Sequence, residues 1–128
     1  MGIQPERIAT SQDRSIQPYL DRLCRHLRQT HHAAVFRYTE SELRALAEAG
    51  IARARRHGLT FQPAITFFVT LQFVIAPDFD EHPRIRQILM DERLPPDERI
   101  DVLAVSVPEA TWREAARARG ARGEAAIQ

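Results

Sequence analysis

The sequence predicts an all-α fold: one compact bundle of about six helices packed around a nearly fully buried central helix at 61–76. Three observations predict it. Apolar residues recur at helical spacing in two windows, from Ile16 to Leu27 and from Leu43 to Ala54. The one strongly apolar run, AITFFVTLQFVIA at 64–76, is preceded by Thr60 and Pro63, a plausible N-cap and a first-turn proline. A strand there would need a partner, and the only other strand-like run, Val102 to Val107, lies between helix-start signals. The domain is expected to span 12–119, with a flexible lead-in at 1–11 and a frayed tail at 120–128.

The first helix is expected near 12–30. Ile16, Leu20, Leu23 and Leu27 share a face, with Asp21, Arg22, Arg25 and Arg28 between them, and Pro18 lies close enough to the start to be tolerated. Thr39-Glu40-Ser41-Glu42 reads as a capping box, Thr39 as N-cap and Glu42 at the third helical position. Behind it Leu43, Leu46, Ala47, Gly50, Ile51 and Ala54 form the clearest amphipathic stripe, predicting a helix over 40–56. The stripe ends in small residues, where a neighbouring helix can approach closely. Gly58 is placed to supply a left-handed residue at the helix end.

The run at 64–76 also alternates as a strand would, but Gln62, Thr66 and Thr70 form a polar stripe at i, i+4 and i+8. A membrane span is excluded by length, since thirteen residues fall short of the roughly twenty required. After Pro77 the chain turns. Pro83 opens a short helix through Ile85, Ile88, Leu89 and Met90, which Leu94-Pro95-Pro96 ends. Helices are expected from about 97 to 105 and from about 108 to 119, the latter with Ser106 and Glu109 as a capping box and carrying Trp112.

Composition narrows the chemistry. The chain has 128 residues, a net charge of +1 and 27% charged residues, which fits one domain. All eighteen basic residues are arginine, so no lysine is available for a Schiff base or a P-loop. Cys24 is the single cysteine, which rules out an internal disulfide and a thiolate zinc cluster and suits a reducing, cytoplasmic setting. The first residues, MGIQPERIATSQDRS, carry no apolar signal core.

Asp78-Phe79-Asp80-Glu81-His82 has alternating carboxylates, but a calcium loop would want glycine at its sixth position and glutamate at its twelfth, where Pro83 and Leu89 stand. The better account is a turn whose Asp78 and Asp80 carboxylates cap the helix opening at Pro83, with Phe79 in the core. His26, His31 and His32 suit a helix C-terminus and lack further ligands at zinc spacing. His57 reads as another C-terminal helix residue. Cys24 reads as a buried, inert thiol. No metal, cofactor or catalytic residue is assigned, and no enzyme motif is present. Arginines group at 22, 25 and 28, at 53, 55 and 56, and at 117, 119 and 122. Acidic residues nearly balance them, so solvated helix faces explain them better than nucleic-acid binding, for which only the last group is retained as a remote alternative.

A longer pattern adds a resemblance. It runs through Ile51-Ala52-Arg53-Ala54, His57-Gly58-Leu59-Thr60, Phe68-Val69 with Leu71, and Ala76-Pro77-Asp78-Phe79-Asp80. Pro83, Ile88-Leu89, Leu94-Pro95 and Arg99-Ile100 continue it. Over about 39–105 this resembles a group of small helical proteins encoded beside type VI secretion effectors in bacteria. The chain departs from their form at Ala76-Pro77, where glycine is usual before the Asp-Phe-Asp turn. It also departs at His57, where an aromatic is usual, and at Arg84-Ile85-Arg86 in place of an aromatic-rich segment. The resemblance implies a non-enzymatic bacterial protein that binds another protein; the short apolar run and the single cysteine add the expectation of a cytoplasmic protein with no membrane partner. Its role would be an adaptor or co-chaperone for an effector or its loading adaptor, or an immunity protein that neutralises a toxin. Immunity to a basic nuclease favours an acidic chain, which a charge of +1 is not. The candidate partner contacts are Trp112, Phe67, Phe68 and Phe73, with Trp112 preferred because a tryptophan on a short terminal helix is often only partly covered.

Overall fold

The computed structural model describes residues 16–117. The expected lead-in at 1–11, the helix start at 12, the tail at 120–128 and Arg119 and Arg122 lie outside the described residues. Within them the fold is all-α, with no strand. Contacts gather into two units, one up to Glu48 and one from Ala49 onward.

In the first unit, α1 (Gln17–Thr30) starts with Pro18 in its first turn, where a missing N–H costs nothing. Its buried face is Tyr19, Leu20, Leu23, Cys24 and Leu27. A single further turn, α2 (His32–Val35), was not expected from the sequence. Arg28 serves it by donating from its guanidinium to the carbonyls of Val35 at 3.2 Å and Tyr38 at 2.8 Å. A four-residue helix has too short a pattern to read, and its partner lies seven to ten residues away. Arg44 bonds Asp21 and Gln17, tying α1 to the start of α3 (Glu40–Arg56). That start is a reciprocal box. The Thr39 N–H donates to Glu42 Oε1 at 2.9 Å, and the Glu42 N–H donates to Thr39 Oγ1 at 3.1 Å. Leu43 and Ala47 are buried, but Leu46, placed in the same stripe by spacing, is exposed.

In the second unit, α3 continues to Arg56 and ends in a Schellman motif. Leu59 N–H donates to the Ala54 carbonyl at 3.2 Å, and Gly58 N–H donates to Arg55 at 2.9 Å. Gly58 has φ of +90°, which only glycine takes without strain. Ala54 and Leu59 are buried, supplying the apolar contact that accompanies this motif. α4 (Gln62–Val74) is the expected central helix, slightly shorter than 61–76. Its buried residues run around most of its circumference: Ala64, Ile65, Phe68, Val69, Thr70, Leu71 and Phe73. Thr70 solves the cost of burying a hydroxyl by donating to the Thr66 carbonyl at 2.7 Å. Gly50 of α3 lies against Val69 and Gln72 of α4, the close approach that the small residues permit.

Thr60 is not the N-cap of α4. Phe61 holds that position without a side-chain bond, and Asp97, thirty-six residues on, supplies the acceptor. Its carboxylate accepts from Thr60 N–H at 3.0 Å, Thr60 Oγ1 at 3.0 Å and Phe61 N–H at 3.2 Å. Burial pushes the Asp97 carboxyl up, but these three donors prevail and hold it below its ordinary range. Asp97 sits in the first turn of α6 (Pro96–Ser106), so one side chain joins two helix starts.

Between α4 and α6 come a 3-10 turn (Phe79–Glu81) and α5 (Pro83–Leu89). Residues 109–117 are helical. Ser106 does not open that helix. It is the last residue of α6 and donates to the Val102 carbonyl at 2.6 Å, while Thr111 N–H bonds the Pro108 carbonyl at 3.0 Å. Pro108, with no N–H to offer, is the better helix opener. No helix among the described residues is long and apolar enough to cross a membrane.

Candidate functional site

The most organised polar group in the second unit centres on Asp80. The 3-10 turn after Pro77 buries Phe79 and carries Asp80 inward beside it, leaving 3% of the Asp80 side chain exposed. Arg53, in the last turn of α3, and His57, the residue that follows its end, stand one turn apart on the same side and face it. Asp80 Oδ2 accepts from Arg53 Nε at 2.7 Å and from His57 Nε2 at 2.8 Å. Arg53 also donates from Nη2 to Glu81 Oε2 at 2.9 Å. Burial pushes the Asp80 carboxyl up, but the bonds from His57 and Arg53 outweigh it, and the carboxyl titrates below its ordinary value. Since a carboxylate only accepts, His57 carries its proton on Nε2. Asp80 Oδ1 is buried without a hydrogen-bond partner, so the whole acceptor strength of this group rests on Oδ2.

An aromatic row backs the cluster. The His57 ring lies 5.4 Å from Phe68, Phe68 lies 5.0 Å from Phe79, and Phe79 lies 6.4 Å from Trp112. Phe68 and Phe79 are fully buried, so His57 is held by packing on one side and by Asp80 on the other.

In front of the cluster is a cleft of about 490 Å³ lined by Arg53, Arg56, His57, Asp80, Glu81, Arg86 and Met90. Arg53 is committed to Asp80 and Glu81. Arg56, in the last turn of α3, and Arg86, on α5, have no ion-pair partner among the described residues, and both are exposed. Arg86 Nε lies 3.2 Å from Met90 Sδ, and Met90 is 56% exposed. The cleft therefore offers two guanidinium groups that no described carboxylate engages, an oriented imidazole and one adaptable apolar side chain.

The expected site residues fall differently from their predicted roles. Asp78 and Asp80 do not cap α5. His82 is its N-cap, accepting from Arg84 N–H on Nδ1 at 3.2 Å, and its Nε2 lies 3.1 Å from Glu114 Oε1. Asp78 instead precedes the 3-10 turn, and its carbonyl accepts from Glu81 N–H at 2.9 Å. Pro83 opens α5 and Phe79 is in the core. Of the aromatic contact candidates, Phe68 and Phe73 are buried and cannot meet a partner in this state, because the helix that carries them is enclosed on most sides. Phe67 and Trp112 are half-buried. The large apolar side chains that do reach solvent are others, including Phe61 at 61% and Val105 at 84%.

Elsewhere, His26 and His31 contact edge to face at 5.6 Å and His32 packs near Phe36. Among the described residues no group of three or more His, Cys, Asp or Glu is placed to hold a metal. Burial pushes the Cys24 thiol up, away from the reactive thiolate. Of the last arginine group only Arg117 is described, and it is exposed. By sequence Arg53 groups with Arg55 and Arg56 as a solvated face, whereas the fold turns it to Asp80. The i, i+4 spacing of Arg53 and His57 was the available signal, but nothing local pointed across 27 residues to Asp80. Comparison with protein-family models, with curated proteins and with solved structures yields no match.

Proposed function

We propose that the chain is a non-enzymatic accessory protein of the bacterial cytoplasm that binds another protein, as an adaptor or co-chaperone for a type VI secretion effector or its loading adaptor. The observation that carries the binding part is the pair of arginines without an ion pair among the described residues, Arg56 and Arg86, beside the exposed Met90 in one cleft. Arginine and methionine are both favoured at protein contacts, the first for bidentate bonds and the second for its adaptable shape. Among the described residues the cleft lining holds an oriented histidine but no hydroxyl or thiol that it could activate, which favours recognition over nucleophilic chemistry. The sequence resemblance over 39–105 supplies the class of partner.

Affinity capture of the tagged chain from its native bacterium, with mass spectrometry of the bound proteins, tests this. Recovery of a loading adaptor or secretion spike component, with or without an effector, supports the accessory role. Recovery of one toxin alone, inactive in the complex, makes the chain an immunity protein instead. An empty capture contradicts both.

A further inference from the structure

We infer that the cleft between the end of α3, the 3-10 turn and α5 is a carboxylate-recognition site for an acidic segment of a partner protein, a step that deepens the protein-binding reading and rests on it. Four observations converge on an anion that is part of a peptide.

The first is charge. Three arginines face two carboxylates, and both carboxylates are already engaged by Arg53 and His57. Arg56 and Arg86 are the groups left over. A guanidinium presents five donors in a planar fork that matches a carboxylate.

The second is organisation. Asp80 fixes Arg53 and His57 from below, with its side chain 97% buried by the 3% exposure of its surface. The α3 end that carries Arg56 is itself fixed by the Schellman motif at Gly58. The floor of the cleft and the backbone that carries Arg56 are thus set before a ligand arrives, and the ordering that remains is that of the exposed Arg56 and Arg86 side chains. Asp80 is here a positioning residue and touches no ligand.

The third is size. A volume of about 490 Å³ falls among ligand sites of about 300–1,000 Å³ and exceeds what one small anion fills. The fourth is Met90, an exposed thioether lining the same cleft. A free phosphate would leave it in water. A glutamate stem or an adjacent apolar side chain would cover it, as thioethers adapt to irregular contacts.

The test uses the full chain and a fluorescein-labelled synthetic peptide of alternating Glu and Leu, followed by anisotropy. A Lys and Leu peptide of equal length is the control, and inorganic phosphate is the competitor. Arg56→Ala with Arg86→Ala removes both guanidinium groups from the surface, and Arg56→Gln with Arg86→Gln keeps their bulk should the first pair melt early. The expected result is binding of the acidic peptide alone, weakened by salt. Loss of either pair weakens it about tenfold or more, since hydrogen bonds to charged groups are each worth about that factor.

Three results overturn the inference: no binding of the acidic peptide, binding unchanged in both double variants, or phosphate binding as tightly as the peptide, which makes the cleft a free-anion site. Cellular capture fails separately. If the arginine variants still recover the partner, the protein-binding function stands and the cleft assignment falls. If nothing is recovered while the peptide binds, the secretion reading falls and the cleft assignment stands.

Discussion

His57 Nε2 stands 2.8 Å from Asp80 Oδ2, and both groups are held within the second unit by separate means. Phe68 packs on the imidazole and the 3-10 turn buries the carboxylate. The bond places the His57 proton on Nε2. His82 is set the same way, because its Nδ1 accepts from the Arg84 N–H and its Nε2 faces Glu114. Nitrogen-15 spectra are therefore expected to show a proton on Nε2 of both rings. An Nδ1–H tautomer at His57 would mean the pair is not formed.

Asp80→Asn keeps the shape and removes the charge on which Arg53 and His57 converge. Breaking a buried pair costs about 3–5 kcal/mol, and here the loss should be about 2–4 kcal/mol because Arg53 and His57 both reach solvent. Urea denaturation measures it, with Trp112 fluorescence as the readout. The pH dependence has a defined sign. The folded Asp80 carboxyl lies below its unfolded value. Its contribution is thus complete above the unfolded pKa of about 3.9 and disappears as pH falls through the lower folded pKa. The Asn variant should lose that part of the acid dependence.

Gly58→Ala places a Cβ at φ of +90° and 3.0 Å from Pro96 Cγ. A left-handed alanine costs about 1–2 kcal/mol, and the contact adds to it. Gly50→Ala is the instructive contrast. Its Cβ meets Gln72 Oε1, the end of a flexible side chain, and Val69 Cγ2 at 3.3 Å, while the helix gains about 1 kcal/mol in propensity. Thermal melts should show a clear loss for Gly58→Ala and a change within about 1 kcal/mol for Gly50→Ala, given that offset.

Asp97→Ala should free the start of α4. Removing a capping carboxylate costs about 0.5–2 kcal/mol, and the Thr60 and Phe61 amides lose their acceptor directly. Hydrogen exchange should speed up at those two amides before it does in the middle of α4. Equal protection in the variant would show that Asp97 is not what caps this helix.

What the sequence made legible was local. The Thr39 and Glu42 box, the glycine at 58 and the proline in the first turn of α4 each concern groups within six residues, where side-chain chemistry fixes backbone geometry directly. Helix over strand at 64–76 follows from the adjacent Thr60 and Pro63 and from the lack of a strand partner elsewhere in the sequence. What it hid was distant. Asp97 caps a helix 36 residues back, and Asp80 accepts from residues 23 and 27 positions away. Pattern gave Phe68, Phe73 and Phe67 equal standing as surface candidates, because a helix apolar all round carries no mark of which side stays open. Arg56 and Arg86 looked like any exposed arginines until the fold set them around one cleft.

The most direct test of the account is a paired capture from the cells that encode the chain, with wild-type chain and the Arg56→Ala, Arg86→Ala chain as baits. The account predicts that the wild type recovers a secretion effector, its loading adaptor or a spike component, and that the variant, folded to the same melting temperature, recovers it at a tenth or less, as expected from losing about 1.4 kcal/mol or more of binding. Equal recovery by both baits would contradict the cleft as the contact surface, and recovery of nothing by either would contradict the accessory role itself.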